Sequence, residues 1–171
     1  MAPFPLGLQL AQSIGVGGAL WLSGTIASVS TITMPALLQA QGEQIITVTT
    51  LAQQWSCLYA TGKARAPPIA VTVAASFLYM AWSVRAGTHF FKNARVSRSA
   101  LYSVAACFVV GIVPFTLVMM ASTNNALLGL PVAPLADSSV LELMEKWTSL
   151  NRARSCLPLI GGVCGIVASL L

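Results

Sequence analysis

The residues whose types and spacing could support chemistry lie beside apolar segments of the chain. Arg154 follows Asn151 by three residues and precedes Pro158 by four, and a proline at that distance leaves the Arg154 carbonyl without its usual backbone donor. A guanidinium and a freed carbonyl at the edge of an apolar segment form an unusually polar spot. A charged group at that depth needs partners and is by default a functional candidate. The alternative is that Arg154 extends its aliphatic stem toward lipid headgroups.

Two further stretches place polar and aromatic residues at helical spacing. Trp55 and Tyr59 are four residues apart and share a helix face, with Lys63 one turn later. That pattern fits an interfacial helix anchored by aromatic rings as well as a site. A second stripe consists of Thr116, Met120, Thr123 and Asn124. If helices bring both stripes to Arg154, they would close an apolar pocket suited to a small molecule.

Few residues are available to hold a metal or a cofactor. The chain has one histidine, His89, and no carboxylate within its apolar segments, so a metal centre would lack ligands. No glycine-rich loop follows a strand, which argues against a Rossmann-type flavin or nicotinamide site. The four cysteines contain no Cys-x-x-Cys pair and are expected to be buried and free, although a bond between Cys57 and Cys156 stays open. We expect no metal, no cofactor and a hydrophobic aromatic ligand.

The composition indicates that membrane helices position these residues. Of 171 residues, 56% are hydrophobic and 8% charged, which is about a third of the charged fraction of a soluble domain. So few charges cannot cover a soluble surface, which disfavours soluble, disordered and nucleic-acid-binding classes despite a net charge of +5. A transmembrane helix needs about 20 apolar residues. The stretches that qualify are 8–38, 66–84, 100–121 and 153–171.

The fold class that we predict is all-α, a single domain covering residues 1–171. It would be an integral membrane four-helix antiparallel bundle with extra interfacial helices in the first and third connections. Gly62 would end the first of these helices, and Ser139 with a glutamate three residues later would form a capping box that starts the second. Pro114 should kink the third span, and Pro158 should interrupt the last helix.

The distribution of charge predicts an orientation. The connection 85–99 carries four basic residues and no acid, so the positive-inside rule places it in the cytosol. Both termini would then be cytosolic, and the polar residues described above would meet on the opposite side of the membrane. Small residues recur every four positions in the first and last spans. They allow close helix packing, within one chain or in a homo-oligomer.

The order and spacing of these motifs resemble the fungal anthrone oxygenase family of small four-helix membrane proteins. The resemblance extends over nearly the whole chain. Its motifs are Ser23-Gly24, Pro35, Trp55-x-x-x-Tyr59-x-x-Gly62, Pro114-Phe115-Thr116, Met119, Thr123-Asn124-Asn125, Leu127, and Trp147-x-x-Leu150-Asn151-x-x-Arg154 followed by Pro158. Lys63 stands where the family often has a histidine, and Ser122 where a proline is common, so the identity of a general base stays open.

The resemblance implies an enzyme that oxidises a polyketide anthrone to an anthraquinone with molecular oxygen and no cofactor. Its location would be the endoplasmic reticulum or another endomembrane. Arg154, Asn124 and Asn151 would donate hydrogen bonds to a developing oxyanion, and Tyr59 or Lys63 would accept the substrate proton. The residues lining the flat substrate would be Trp55, Trp147, Met120, Thr123 and Asn151.

The residues alone leave two other functions open. A non-catalytic binder or carrier of a hydrophobic aromatic metabolite would use the same pocket. A structural assembly partner would instead bury its ridges of small residues against another protein. The resemblance is what favours the oxygenase over both.

Overall fold

The computed structural model describes residues 5–88, 97–130 and 136–171. Within these residues every regular element is a helix, which confirms the all-α class for the described part of the chain. The elements are α1 (Leu6–Ser28), a π-helical segment (Val29–Thr33), α2 (Met34–Gly42), α3 (Val48–Ser83), α4 (Arg98–Val110), α5 (Ile112–Val118), α6 (Ala121–Leu128) and α7 (Asp137–Leu170).

Four helical stretches in the described residues are long and apolar enough to cross a membrane. They are Leu6–Gly42, Val48–Ser83, Arg98–Val118 and Asp137–Leu170, with 37, 36, 21 and 34 residues. Because about 20 residues cross the hydrocarbon, three of the four extend well beyond the length that a span requires. Each of the four predicted apolar stretches therefore lies largely within one of these helical stretches.

The interfacial helix predicted in the first connection is not a separate element. It forms the first half of α3, and Gly62, Pro67 and Pro68 all lie inside that helix. The two prolines deprive the carbonyls of Lys63 and Ala64 of their donors. Both of these residues are exposed, so solvent can hydrogen-bond the freed carbonyls and the helix continues. The prediction that Gly62 ends a helix is wrong.

Helix α7 likewise joins the helix predicted in the third connection to the last span. It begins at Asp137 with Ala136 as N-cap, so the start predicted at Ser139 is wrong. The acidic side chain of Asp137 lies in the first turn, where the helix dipole favours a negative charge. Pro158 lies inside α7 and does not interrupt it, since both halves of the helix are packed against neighbouring helices. A separate short helix, α6, does occupy the third connection.

The third span is divided close to the predicted kink. Helix α4 ends at Val110 and α5 begins at Ile112. Pro114 has no N–H to donate to the Val110 carbonyl, so the division falls one turn before the proline. Gly111, between the two helices, keeps helical backbone angles, and Arg98–Val118 is one stretch long enough to cross a membrane.

Buried apolar residues form two separate clusters along α3 and α7. The core cluster takes residues of α3 between Ala70 and Ser83 and is centred on Phe77 and Tyr102, whose rings stack 6.3 Å apart. The second, which we term the tryptophan cluster, lies at the opposite end of α3. Its buried members are Met34, Val48, Leu51, Trp55, Met120, Leu127, Val140, Met144 and Trp147.

Glycines of α7 allow the close approach that the small-residue pattern predicts. A Cβ added at Gly161 would lie 2.9 Å from the carbonyl oxygen of Ala105 in α4. One added at Gly165 would lie 2.5 Å from the ring of Phe77 in α3. Where helices gain little from the hydrophobic effect in lipid, such backbone proximity supplies much of the packing energy.

Arg98 connects the ends of two helices. Arg98 was counted among the four basic residues of the connection 85–99. Its side chain is nevertheless only 5% exposed, and its Nε donates to the Ala168 carbonyl at 3.0 Å. A cation near the last carbonyls of a helix is favoured by the helix dipole. Lys92, Arg95 and His89 lie outside the described residues.

Substitution of Gly161 by alanine should destabilise the protein. Its new Cβ would meet a backbone carbonyl, which cannot rotate away, and overpacking of this kind costs about 1–3 kcal/mol. Gly17 is the matched control, because a Cβ at that exposed position in α1 has no atom within 4 Å. Thermal unfolding in detergent should show a lower midpoint for Gly161→Ala than for Gly17→Ala, and equal midpoints would contradict the close contact.

Candidate active site

The guanidinium of Arg154 is held by two neutral oxygen atoms. Its Nη1 donates to Thr116 Oγ1 at 3.0 Å, and its Nη2 donates to Asn151 Oδ1 at 2.6 Å. The Asn151 contact is within α7, where residues three apart share a face. Because neither partner is a carboxylate, these contacts leave the positive charge of Arg154 unneutralised.

Asn151 attaches this arrangement to α1. Its Nδ2 donates to the Ile26 carbonyl at 3.0 Å and to Ser30 Oγ at 2.6 Å, so both amide hydrogens are used. Ser30 lies in the π-helical segment and is fully buried. Local π-helix is common at functional sites, since the extra residue in the turn redirects side chains. Because its amide group is fixed by these two hydrogen bonds, the buried Asn151 side chain orients the guanidinium of Arg154.

Thr116 contributes its acceptor to Arg154 from α5. It lies two residues after Pro114, and its hydroxyl donates to the Ile112 carbonyl at 2.7 Å. With its hydrogen used in this way, the hydroxyl oxygen presents a lone pair to the guanidinium. The contact therefore joins the third span to α7.

Asn124 is paired with Trp147. The indole Nε1 of Trp147 donates to Asn124 Oδ1 at 2.9 Å, and both residues are 3% exposed. This contact joins α6 to α7. Since the amide oxygen is the end that faces the indole, the NH₂ end of Asn124 is directed elsewhere and can donate.

Three aromatic rings adjoin these polar groups. The rings of Trp55 and Tyr59 are stacked, with centroids 5.3 Å apart, and Trp147 meets Trp55 edge-on at 5.7 Å. Tyr59 is half-buried and lies within range of an electrostatic interaction with Arg154. The aromatic face of α3 is therefore continuous with the polar face of α7.

Two buried N–H groups of this site have no hydrogen-bond partner within the described residues. They are Nε1 of Trp55 and Nε of Arg154. Buried polar atoms in native proteins are nearly always paired, with protein, water or a ligand. Buried donors left unpaired by the protein indicate places where ligand oxygens would be bound.

The structure brings together all but one of the predicted site residues. Met120 is fully buried in the tryptophan cluster, at 0% exposure, and Thr123, at 1% exposure, precedes Asn124 on α6. Lys63 is the exception, because it lies exposed on α3 one turn beyond Tyr59. The roles of these residues stay predictions.

Two contributors were not among the predicted site residues. The Ser30 hydroxyl, which lies in the π-helical segment of the first span, accepts a hydrogen bond from Asn151 of α7. Thr116 was placed on the stripe of α5 and α6 without a partner. A serine inside an apolar span is a weak signal, since most such hydroxyls bond a carbonyl one turn back. The partner of Ser30 can be identified only from the packing of α7 against the π-helical segment.

A groove lies on the surface between α4, α5 and α7, and Phe115, the residue before Thr116, is part of its lining. It has a volume of about 480 Å³ and is apolar, with Gly111, Pro114, Phe115 and Leu157 among its lining residues. Phe115 also packs against the tryptophan cluster. The volume falls within the usual range for small-molecule pockets, about 300–1,000 Å³.

The cysteines and potential metal ligands contribute little to this site. All four cysteines are free, which agrees with one expectation, but Cys57, Cys107 and Cys156 are exposed on helix surfaces and so the prediction that they are buried is wrong. In a chain that spans a membrane, apolar surface includes faces directed toward lipid. Over the described ranges, no three His, Cys, Asp or Glu side chains are grouped so as to hold a metal ion.

Comparison with known proteins identifies the family. The anthrone oxygenase family matches residues 55–164, which include the aromatic pair, the Asn124–Trp147 contact and Arg154. Anthrone oxygenase encC of Aspergillus fumigatus is 33% identical over 94% of this chain and 93% of its own length. The chain belongs to the anthrone oxygenase family.

Two further relatives of this chain are also named as oxygenases of this type. Anthrone oxygenase ptaC of Pestalotiopsis fici is 33% identical over 78% of this chain and 92% of its own. The noranthrone monooxygenase of Aspergillus flavus is 29% identical over 86% of this chain and 70% of its own. No solved structure matches the chain significantly. The predicted family is confirmed, and the prediction of an oxygenase-type enzyme is confirmed at the level of that family.

The Asn124–Trp147 hydrogen bond should contribute to the stability of this anthrone oxygenase family member. Either Asn124→Leu or Trp147→Phe leaves one buried polar group unpaired, at a cost of about 1–3 kcal/mol. The double variant removes both groups and should cost less than the sum of the single variants. Chemical unfolding in detergent measures this coupling, with Asn125→Leu as the exposed neighbouring control. Strict additivity would contradict the bond.

Proposed function

We propose that this protein is an anthrone oxygenase that converts a polyketide anthrone to an anthraquinone with molecular oxygen and without a bound cofactor. The observation that supports this most directly is the combination of an unneutralised guanidinium with unpaired N–H donors beside aromatic rings. The relatives' names supply the substrate class. The geometry supplies the means of stabilising an aromatic anion.

We further propose that the four long helices form an antiparallel bundle in the endoplasmic reticulum or another endomembrane. Contacts along α1 support this arrangement. A Cβ at Gly15 would meet Phe77, whereas one at Gly18 would meet Val73, so residue numbers rise along α1 as they fall along α3. Cytosolic termini and self-association stay predictions from the charge and small-residue patterns.

The proposed reaction begins with loss of a proton from the central methylene of the anthrone. The resulting enolate is electron-rich and transfers one electron to dioxygen, which gives a substrate radical and superoxide. These combine to form a carbon–oxygen bond, and the peroxide is protonated. Loss of the second methylene hydrogen as a proton, with cleavage of the O–O bond, releases water and leaves the new carbonyl. One oxygen atom is thus in the quinone and the other in water.

The main contribution of the protein is stabilisation of the enolate oxygen. Arg154 carries a full positive charge and is oriented by Thr116 and Asn151, so it needs no rearrangement when the anion forms. Asn124, fixed by Trp147, can donate its amide N–H to the same anion. Exclusion of water strengthens both interactions. Asn151, whose amide hydrogens are used, acts in this proposal by positioning Arg154.

Tyr59 is the better placed of the two predicted proton acceptors. It is stacked on Trp55 and interacts electrostatically with Arg154, so it adjoins both parts of the site. Lys63 is exposed and would have to reach back along a full turn of α3. We therefore assign proton transfer to Tyr59.

The apolar groove beside Phe115 is the proposed route of the substrate from the bilayer. Anthrones are flat and hydrophobic and partition into lipid, and the groove opens on the surface of the helices. Phe115 separates it from the tryptophan cluster, so movement of that one ring would connect the two. This route would bring the substrate next to Thr116 and Arg154.

Purified protein freed of metals and flavins should consume oxygen when mixed with a simple anthrone. Arg154→Ala should lower kcat by about 100- to 1,000-fold, the usual effect of removing a preorganised oxyanion donor. An oxygen electrode and the absorbance of the quinone measure both quantities.

The matched control is Arg152→Ala, which removes an exposed guanidinium two residues away on α7. Its kcat should equal that of the unaltered protein. Saturable anthrone binding without oxygen uptake would contradict the proposed function and favour a carrier. Full activity of a correctly folded Arg154→Ala variant would contradict the site.

Tyr59→Phe should lower kcat more than Lys63→Ala, because only the tyrosine is stacked within the site. The tyrosine variant keeps the aromatic stacking and loses the hydroxyl alone. Because a general base acts only when deprotonated, the rise of kcat with pH should be lost in Tyr59→Phe and kept in Lys63→Ala. The reverse order of effects would assign proton transfer to Lys63.

A further inference from the structure

The two tryptophans of the site differ in how their N–H groups are used. Trp147 donates its Nε1 hydrogen to Asn124 Oδ1 at 2.9 Å. Trp55 is fully buried, at 0% exposure, yet its Nε1 has no partner among the described residues. Since burial of an unpaired N–H is unfavourable, Trp55 requires an explanation that packing alone does not provide.

The unpaired indole N–H belongs to the same site as Arg154. Tyr59 stacks on the Trp55 ring, and Tyr59 in turn interacts electrostatically with Arg154. Trp147, which contacts Trp55 edge-on, is on the same face of α7 as Asn151 and Arg154. The second unpaired donor is Nε of Arg154, and Tyr59 is the residue that links its side chain to Trp55.

We propose that the Trp55 N–H is a catalytic hydrogen-bond donor to the substrate, and that with Arg154 Nε it binds the oxygen that becomes negative when the anthrone loses its methylene proton. This assignment rests on the proposed function. An indole N–H is a donor only, with no lone pair to repel an anion. It stabilises the enolate more than the neutral anthrone, so it lowers the barrier as well as binding substrate.

The surroundings of Trp55 can admit a flat ligand. Met34, Met120 and Met144 are fully buried in the same cluster, each at 0% exposure. Methionine side chains are unbranched and flexible, and they adapt to irregular shapes at little cost. Their rearrangement would make room beside the indole without separating the helices.

The test replaces the N–H of Trp55 by sulfur and leaves the ring shape nearly unchanged. Incorporation of 3-benzothienylalanine at position 55 keeps the stacking on Tyr59 and removes the donor, so folding is preserved where Trp55→Phe could fail to fold. We expect kcat for anthrone oxidation to fall by about 100-fold, with a smaller change in KM. The same replacement at Trp21, which is 58% exposed on α1, should leave kcat unchanged.

A second measurement removes oxygen from the experiment. Under anaerobic conditions, the absorbance of bound anthrone reports the pH at which it ionises to the enolate. The Trp55 replacement should raise that pH by about two units, which corresponds to the expected 100-fold loss. A purely structural role for Trp55 would not shift this ionisation.

The outcomes separate the two proposals. A protein that binds and ionises anthrone anaerobically but takes up no oxygen contradicts the proposed function, while the shift in ionisation still supports Trp55 as a donor. An active protein whose position-55 replacement retains the original kcat and ionisation pH overturns the role of Trp55 and leaves the proposed function intact. A protein that neither binds nor oxidises an anthrone overturns both.

Discussion

A guanidinium among apolar helices must be supplied with hydrogen-bond acceptors, and much of this structure follows from the way Arg154 obtains them. One acceptor is the side chain of Asn151, which is itself held by the Ile26 carbonyl of α1 and by Ser30 of the π-helical segment. The other is Thr116 of α5. Each partner is neutral, so the arrangement fixes the position of the charge without cancelling it. That is the condition for stabilising an anion that appears only during a reaction.

The core cluster and the tryptophan cluster are packed by different kinds of residue. In the core cluster, glycines of α7 approach Ala105 and Phe77 so closely that an added methyl group would clash. Around Trp55 and Trp147, three methionines fill the space instead. Helices approach closely at glycines of the core cluster, whereas the tryptophan cluster beside the candidate site contains three flexible methionine side chains.

Several features of the site were predictable because they depend on residues close together in the chain. The pairing of Asn151 with Arg154 follows from a spacing of three on a helix, and the stacking of Trp55 on Tyr59 from a spacing of four. Predictions that depended on where a helix ends were less successful. Gly62 and Pro158 lie within helices because packing on both sides outweighs local breaking signals. Ser139 is inside α7 for a simpler reason, since Asp137 starts the helix two residues earlier.

The sequence by itself determined the helical class, the four apolar stretches and the family, because these depend on composition, periodicity and the order of motifs. It also placed Arg154 and the aromatic pair near the ends of those stretches. Only the tertiary structure decided that Ser30 accepts from Asn151 across 121 positions of the chain, or that Trp147 has a partner for its N–H and Trp55 has none. Hydrogen-bond partners across a bundle depend on the relative rotation of helices, and no local pattern encodes that rotation.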